Sequence, residues 1–337
     1  MIKINLNHVF ATMLLLSFAY AHENVPLNEI TPRYLKDPSK VKYKSSSRYL
    51  DNLVFRQFID LHVSGSSQYT EKQFSQILEN IVENNNFQDD VVLIVDLRGE
   101  SHLFVTYQLK DSKGDDLSVS AEPFTIVDNK NREIVYNAEQ KLIDSMQGLS
   151  VSIEPHRFAT DFAPVDGEVA TRKPFTVTVS KDGIGKLETE KEMVERVANN
   201  IQIQPKTNLY ETKRGMKIEY SRLPVADLSV PTMEHVDQFI KIIKNVEKKY
   251  PGKRVWVHVH CHGGLGRTAF FMNVAAMLRS KLLLHEIEAK QVKSGGRALL
   301  DIEHPEIGQS LQAAQGVRDS IKAAYSKIRK DHNPDIS

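Results

Sequence analysis

Cys261 is the only cysteine among 337 residues, and it opens the stretch Cys261-His262-Gly263-Gly264-Leu265-Gly266-Arg267-Thr268. A thiol, three glycines and then a guanidinium six positions on form a set suited to attack on an anionic ester. The thiolate is the nucleophilic form, and an amide-rich loop feeding a helix N-terminus favours it. Glycines let successive backbone N–H groups curl inward as an anion cradle. The Arg267 fork closes on two oxygens of a tetrahedral anion at once, a grip that a lysine cannot reproduce. Thr268 is spaced to hydrogen-bond the sulfur and stabilise it as a leaving group. His260, one residue before the thiol, is placed to orient or polarise it. The candidate oxyanion-binding set is therefore His262, Gly263, Gly264, Leu265, Gly266, Arg267 and Thr268. The competing reading is an inert buried cysteine beside a glycine turn, but packing alone asks for no Arg267 at that spacing.

Such a loop needs a strand before it and a helix after it, and the flanking patterns supply both. Arg254 to His260 alternates, with Val255, Val257 and Val259 on one face and Trp256, His258 and His260 on the other. Arg267 to Leu278 is apolar and helical. Val91 to Leu97 is an apolar run broken only by Asp96, as expected of a central parallel strand. Helical spacing recurs at Phe74, Ile77, Leu78 and Ile81, with Thr70 as N-cap. Thr189 with Glu192 forms a capping-box pattern for a helix to Val197, Thr232 opens a helix to about Lys248, and Gln309 to Arg329 is amphipathic. Phe55 to Val63 reads as a short apolar-polar segment ending in a turn at Ser64-Gly65-Ser66. Residues 118–187 differ: Leu149–Ile153 and Phe175–Ser180 alternate at period two between Pro and Gly. The expected organisation is an α/β domain over 51–117 and 188–337, interrupted by a β-rich insertion over 118–187.

Composition narrows the function classes. The chain is 41% hydrophobic and 26% charged, with 44 Lys+Arg against 43 Asp+Glu. Its net charge of +1 gives no whole-molecule field toward nucleic acid or anionic membrane. Charge is nevertheless sorted: residues 251–300 hold eight Lys/Arg and two acids, whereas 51–100 hold three bases and nine acids. The loop thus lies in a locally basic block. Lys3, the apolar run Val9–Ala19 and the Ala19-Tyr20-Ala21 site read as a signal peptide over 1–21, cleaved after Ala21, with 22–50 as an extended lead-in. The apolar run is too short to span a bilayer, so an exported chain without stable membrane insertion is expected, periplasmic or secreted. An oxidising compartment uses cysteines in pairs, so a lone thiol there stands out. Sequence spacing shows no metal constellation, dinucleotide fingerprint or Walker loop; no cofactor and no nucleic acid are expected. Arg98, Lys290, Lys293 and Arg297 are read as solvated surface charges, with extension of the basic pocket as the competing reading, and His258 as a packed strand residue.

Several segments, taken in order, resemble one family. His260–Thr268 is similar to the H-C-x-x-G-x-G-R-T loop of the protein-tyrosine-phosphatase-like inositol phosphatases, or cysteine phytases. Val63–Glu71 resembles their S-G-S-x-Q-[FY]-[ST]-E segment, Asp96–His102 their D-L-R-x-E-S-H, and Thr189–Glu195 their T-E-x-x-[LM]-V-E. Ala226–Thr232 sits where they carry T-D-H-x-W-P-T, and Gln291 with Gly295-Gly296 resembles their Q-x-x-x-G-G. The likeness spans roughly residues 60 to 330, and the segments are specific jointly rather than singly.

That resemblance implies an α/β cysteine-phosphatase fold, a central mostly parallel sheet flanked by helices, with a small β-barrel-like domain inserted. It makes Asp227 the general acid, which protonates the leaving oxygen and then activates water. It also implies an inositol polyphosphate substrate, hydrolysed through a phosphocysteine with no cofactor. The chain departs from the family at Leu228 (His), Val230 (Trp), His262 (usually Glu) and Leu265 (often Val). A tyrosine, dual-specificity or phosphoinositide phosphatase is the neighbouring reading. An inactive phosphate-binding module is the alternative of another class.

Overall fold

Val91–Arg98 forms an eight-residue strand with every side chain buried. A strand covered on both faces has to be apolar almost throughout, and this run of valine, leucine and isoleucine is. It is β3 in a computed structural model that describes residues 53–83, 91–110, 116–121, 125–128, 139–140, 143–144, 146–148, 150–153, 175–200, 217–301 and 310–332. All of these fall in one compact unit. The segments read as signal peptide (1–21) and lead-in (22–50) lie outside the described residues.

β3 stands in a five-stranded sheet with β1 (Phe55–Phe58), β2 (Val63–Ser66), β10 (Lys217–Val225) and β11 (Val255–His260), in the order β1-β2-β11-β3-β10. Only β1 runs antiparallel to its neighbour. Side-chain alternation splits the sheet into two faces. Val91, Leu93, Val95, Val255, Val257 and Val259 join one core with helices α3 (Met233–Lys249), α4 (Gly266–Arg279) and α6 (Leu311–His332), as does Ile287 of α5 (Leu284–Lys293). Val92, Ile94 and Trp256 join the other with α1 (Glu71–Glu83) and α2 (Glu190–Asn200). The result is an α/β fold, a mostly parallel sheet between two helical layers.

Three helix starts form as their capping residues dictate. Thr70 Oγ1 accepts from Gln73 N while Gln73 Oε1 accepts from Thr70 N. Thr189 and Glu192 repeat that exchange, and Thr232 does so with His235 Nδ1.

Ser64-Gly65-Ser66 corrects the expectation of a turn, because these residues are the buried end of β2. Turn-like composition was overridden by packing. A Cβ on Gly65 would stand 2.5 Å from Thr268 Cγ2 and 2.6 Å from Met272 Sδ. Glycine is there so that α4 can approach the strand closely.

After a bend at Gly99 the chain leaves β3 for β4 (Glu100–Lys110), which pairs antiparallel with β5 (Asp116–Ala121), β6 (Thr125–Asp128) and β9 (Leu187–Thr189). The period-two stretches appear as β7 (Ser150–Ile153) and β8 (Phe175–Thr178), paired with each other. A closed barrel is not seen among the described residues of this region.

Candidate active site

Parallel strands end on the same side of a sheet, and their carboxyl edge is where α/β folds place chemistry. Register fixes what meets there. His260 of β11 lies opposite both Asp96 of β3 and Ser66 of β2, and Val225 of β10 lies opposite Arg98. One residue past β11 comes Cys261, and two past β10 comes Asp227. The topology thus gathers segments more than a hundred residues apart.

The loop between β11 and α4 is held in a cradle conformation. Gly264 has φ +67°, and a Cβ there would stand 2.5 Å from the Ser67 amide nitrogen. Two loop carbonyls are turned outward by bonds to their surroundings: Gln68 N donates to His262 O at 3.0 Å, and Arg56 Nη2 to Gly264 O at 2.5 Å. α4 begins at Gly266 with Leu265 as N-cap and no side-chain capping bond, so side chains leave its first N–H groups available to an anion. Cys261 is buried, and its Sγ accepts from Gly264 N at 3.2 Å and from the Thr268 hydroxyl at 3.1 Å. Both donors stabilise charge developing on sulfur.

Arg267 is gripped from behind by Glu100, with Nη1 2.8 Å from Oε2 and Nη2 3.0 Å from Oε1. Nη1 also donates to Val225 O at 2.7 Å, and Nη2 lies 2.9 Å from Asp227 Oδ1. Its Nε is buried without a hydrogen-bond partner. Nε is thus the guanidinium nitrogen without a partner among the described residues, and a ligand on the Nε–Nη2 edge would meet Asp227 where it now touches Nη2. Burial pushes the Glu100 carboxyl up, but Arg267 and Arg98 outweigh it and hold the group well below the ordinary carboxylate range. Burial likewise works against the Arg267 charge, which Glu100 more than restores.

Beneath the loop lies a buried polar network. Glu190, the first residue of α2, accepts from Tyr69 OH at 2.5 Å; its other oxygen meets His102 Nε2 at 2.5 Å, and His260 Nε2 lies 2.8 Å from Oε1 without hydrogen-bond alignment. Burial raises the Glu190 carboxyl, yet His260 and His102 bring it well below its usual value. Burial and Arg98 lower His102, while Asp96 and Glu190 leave it raised on balance. Arg222 pairs with Asp96 at 3.0 Å and Glu139 at 2.8 Å. Carboxylates at Asp96, Glu100, Glu139 and Glu190 thus face guanidiniums at Arg98, Arg222 and Arg267, while His102 bridges Glu190 on Nε2 and Arg222 Nη2, 2.9 Å away, on Nδ1. Asp96, Glu190 and His260 do bring three donor atoms within 4.8 Å of one another, a grouping that sequence spacing could not show. Asp96 is already paired with Arg222, and both Glu190 oxygens are taken by Tyr69 and His102, so the cluster fits a structural network better than a cation.

Of the expected residues, Cys261, Gly264, Arg267, Thr268 and Asp227 meet at this edge, whereas the His260 ring turns to Glu190 and Tyr69 in the network beneath rather than to the thiol. Arg98 does not behave as the surface charge expected of it. It is fully buried, with Nε on Glu100 at 2.9 Å and Nη1 on Gln68 at 2.8 Å. Lys290 does lie at the surface, 3.0 Å from Asp60. His258 is a packed strand residue, its ring nitrogens 2.9 Å from Ser64 Oγ and 3.1 Å from Ser66 Oγ. Sequence reasoning assigned no role to Glu100, Glu190 or Tyr69. Their signal was charge and hydroxyl at strand ends and a helix start, uninformative without the register.

Solved structures can be compared at this point. A protein-tyrosine-phosphatase-like phytase from Mitsuokella multacida, tandemly repeated, aligns over 82% of this chain and 39% of its own at 22% identity and a TM-score of 0.54. The fold is that of the PTP-like phytases. The phytase from Bdellovibrio bacteriovorus agrees, over 83% of this chain and 84% of its own, at 19% identity and TM-score 0.51. A Mitsuokella multacida PTP-like myo-inositol phosphatase solved with myo-inositol-(1,3,4,5)-tetrakisphosphate aligns equally well, at 22% identity, over 81% of this chain and 39% of that one, with TM-score 0.54. This chain therefore spans about two-fifths of the length of the Mitsuokella chains. The family model for PTP-like phytase, described by inositol hexakisphosphate, matches residues 165–279, which include Asp227, Cys261 and Arg267. Members of that family are cysteine-dependent phosphatases of inositol phosphates. No curated protein matches significantly.

Proposed function

We propose that this chain is an exported phosphomonoesterase that hydrolyses inositol polyphosphates through a phosphocysteine. The observation that carries the reading is the convergence on one guanidinium. Arg267 is fixed by Glu100, stands in the loop that cradles Cys261, and touches Asp227 at 2.9 Å. A phosphate on the Nε–Nη2 edge of Arg267 would sit between nucleophile and acid. Cys261 sulfur attacks phosphorus, the bond from phosphorus to the inositol oxygen breaks, and Asp227 gives that oxygen its proton. Asp227, now a carboxylate, takes a proton from water; the water oxygen attacks phosphorus, the sulfur–phosphorus bond breaks, and orthophosphate leaves. Loop amides and Arg267 hold the equatorial oxygens throughout. No step calls on a metal. Export rests on residues 1–21. Among the described residues no helix is long and apolar enough to cross a membrane.

The experiment is orthophosphate release from inositol hexakisphosphate and from phosphotyrosyl peptides, side by side, for the purified protein and Cys261→Ser. Release from the inositol substrate that vanishes in the serine variant, with calorimetric binding retained, is the expected result. Faster release from the peptides would move the substrate class to proteins. No release from either, with binding intact, would leave a binding module.

A further inference from the structure

The segment bearing Asp227 is held at two places. Asp227 rests on Arg267, and three residues on, Val230 and Pro231 rest on the C-terminal helix α6. A Cβ on Gly316 would stand 2.8 Å from Val230 Cγ2 and 3.5 Å from Cγ1, and Ser320 Oγ donates to the Pro231 carbonyl. Gly316 and Ser320 are four apart, hence on one face of α6. Glycine is a poor residue for a helix interior, and the close approach of Val230 accounts for it here. Val230 is β-branched and stiff at χ1, so an added methyl would lift the segment rather than turn the side chain aside.

That displacement has a short path to the acid. Leu228 has φ 54°, a conformation leucine keeps only where its surroundings impose it. Ser229 imposes it: its N–H, at 3.3 Å, and its hydroxyl, at 2.6 Å, both donate to Ala226 O, closing a tight turn around Asp227. We infer that the Gly316–Ser320 face of α6 is the seat of this segment and sets where Asp227 stands relative to the leaving group. Both are positioning residues. The inference rests on the reading of Asp227 as general acid.

Gly316→Ala tests it, because alanine favours the helix itself and a loss of activity cannot come from fraying. With inositol hexakisphosphate, the first chemical step should slow about 10- to 100-fold, part of what general acid help supplies. With dinitrophenyl phosphate, whose leaving group departs unprotonated, it should change less than about threefold on the same principle. Adding Val230→Ala removes the methyls that the new Cβ meets and should restore the inositol rate. In an Asp227→Asn background, Gly316→Ala should cost nothing further. Ser320→Ala should act in the same direction, more weakly. Equal losses on both substrates, no rescue by Val230→Ala, or additivity with Asp227→Asn would overturn the seat while the acid reading stands. An Asp227→Asn variant that slows both substrates equally would remove the acid reading, and the seat with it.

Discussion

Neutralising Glu100 isolates the contact on which Arg267 depends. Glu100→Gln keeps the shape of the side chain but takes one negative charge from between two buried guanidiniums. Arg267 is 4% exposed and Arg98 0%. Glu100 meets the first at 2.8 and 3.0 Å and the second at 2.9 Å. Removing one partner of a buried pair costs roughly 3–5 kcal/mol, because the other charge stays buried without compensation. Arg267 keeps Asp227 and Val225 O, and Arg98 keeps Gln68 Oε1, which places the expected loss at the lower end, about 3 kcal/mol. Urea unfolding at pH 7 reads it directly, and the difference should barely respond to salt, since buried pairs are weakly screened. Acid provides a second check. A carboxyl whose folded pKa is depressed contributes stability above its unfolded value and loses it as pH falls through the folded one. Arg267 and Arg98 depress Glu100 against the upward push of burial. The gap between wild type and variant should therefore be full at pH 7 and narrow only below the ordinary carboxylate range. A gap under about 1 kcal/mol at pH 7, the scale of an exposed pair, or one that widens in acid, would refute the reasoning.

Two further changes probe the loop and the strand beneath it. Gly264→Ala should cost at least about 1–2 kcal/mol from the left-handed backbone alone, plus the overlap with Ser67, and should abolish binding of vanadate by calorimetry; wild-type stability and binding would show that the loop tolerates a Cβ. His258, held at about 3 by burial and by His260, binds no proton in the fold where the unfolded chain does, so stability should fall as pH drops from 6.5 toward 3. Its share is about 1.4 kcal/mol per pH unit, and unfolding at pH 6.5, 5.5 and 4.5 should show a slope one proton shallower in His258→Asn; identical slopes would place the acid sensitivity elsewhere.

What the sequence disclosed and what it hid divide by distance along the chain. The nucleophile loop was legible because its chemistry is local, with thiol, glycines and guanidinium inside one turn between strand and helix. The caps at Thr70, Thr189 and Thr232 were legible for the same reason, since donor and acceptor sit three residues apart. Glu100 holds Arg267 across 167 positions, and no periodicity reports such a pairing. Arg98 looked like a surface charge because an arginine ending an apolar run usually is one. Gly65 looked like a turn because Ser-Gly-Ser usually is one; its reason for being glycine is α4, two hundred residues later. Part of this network follows from parity alone. Val91, Leu93 and Val95 share one face of β3, so Asp96 and Arg98 fall on the opposite face, the one where β11 puts Trp256, His258 and His260. That face is covered by α1 and α2, and α2 begins with Glu190. Alternation thus predicts that Asp96, His260 and Glu190 share a layer. What it cannot supply is the offset between β3 and β11, because parallel strands joined by long connections carry no turn to fix their register. Opposite His260, one residue of slip would replace Asp96 with Val95 or Leu97, leaving a histidine against the wrong face. The buried charges themselves are what make that slip costly, so the network that sequence could not show also holds the register on which the site depends.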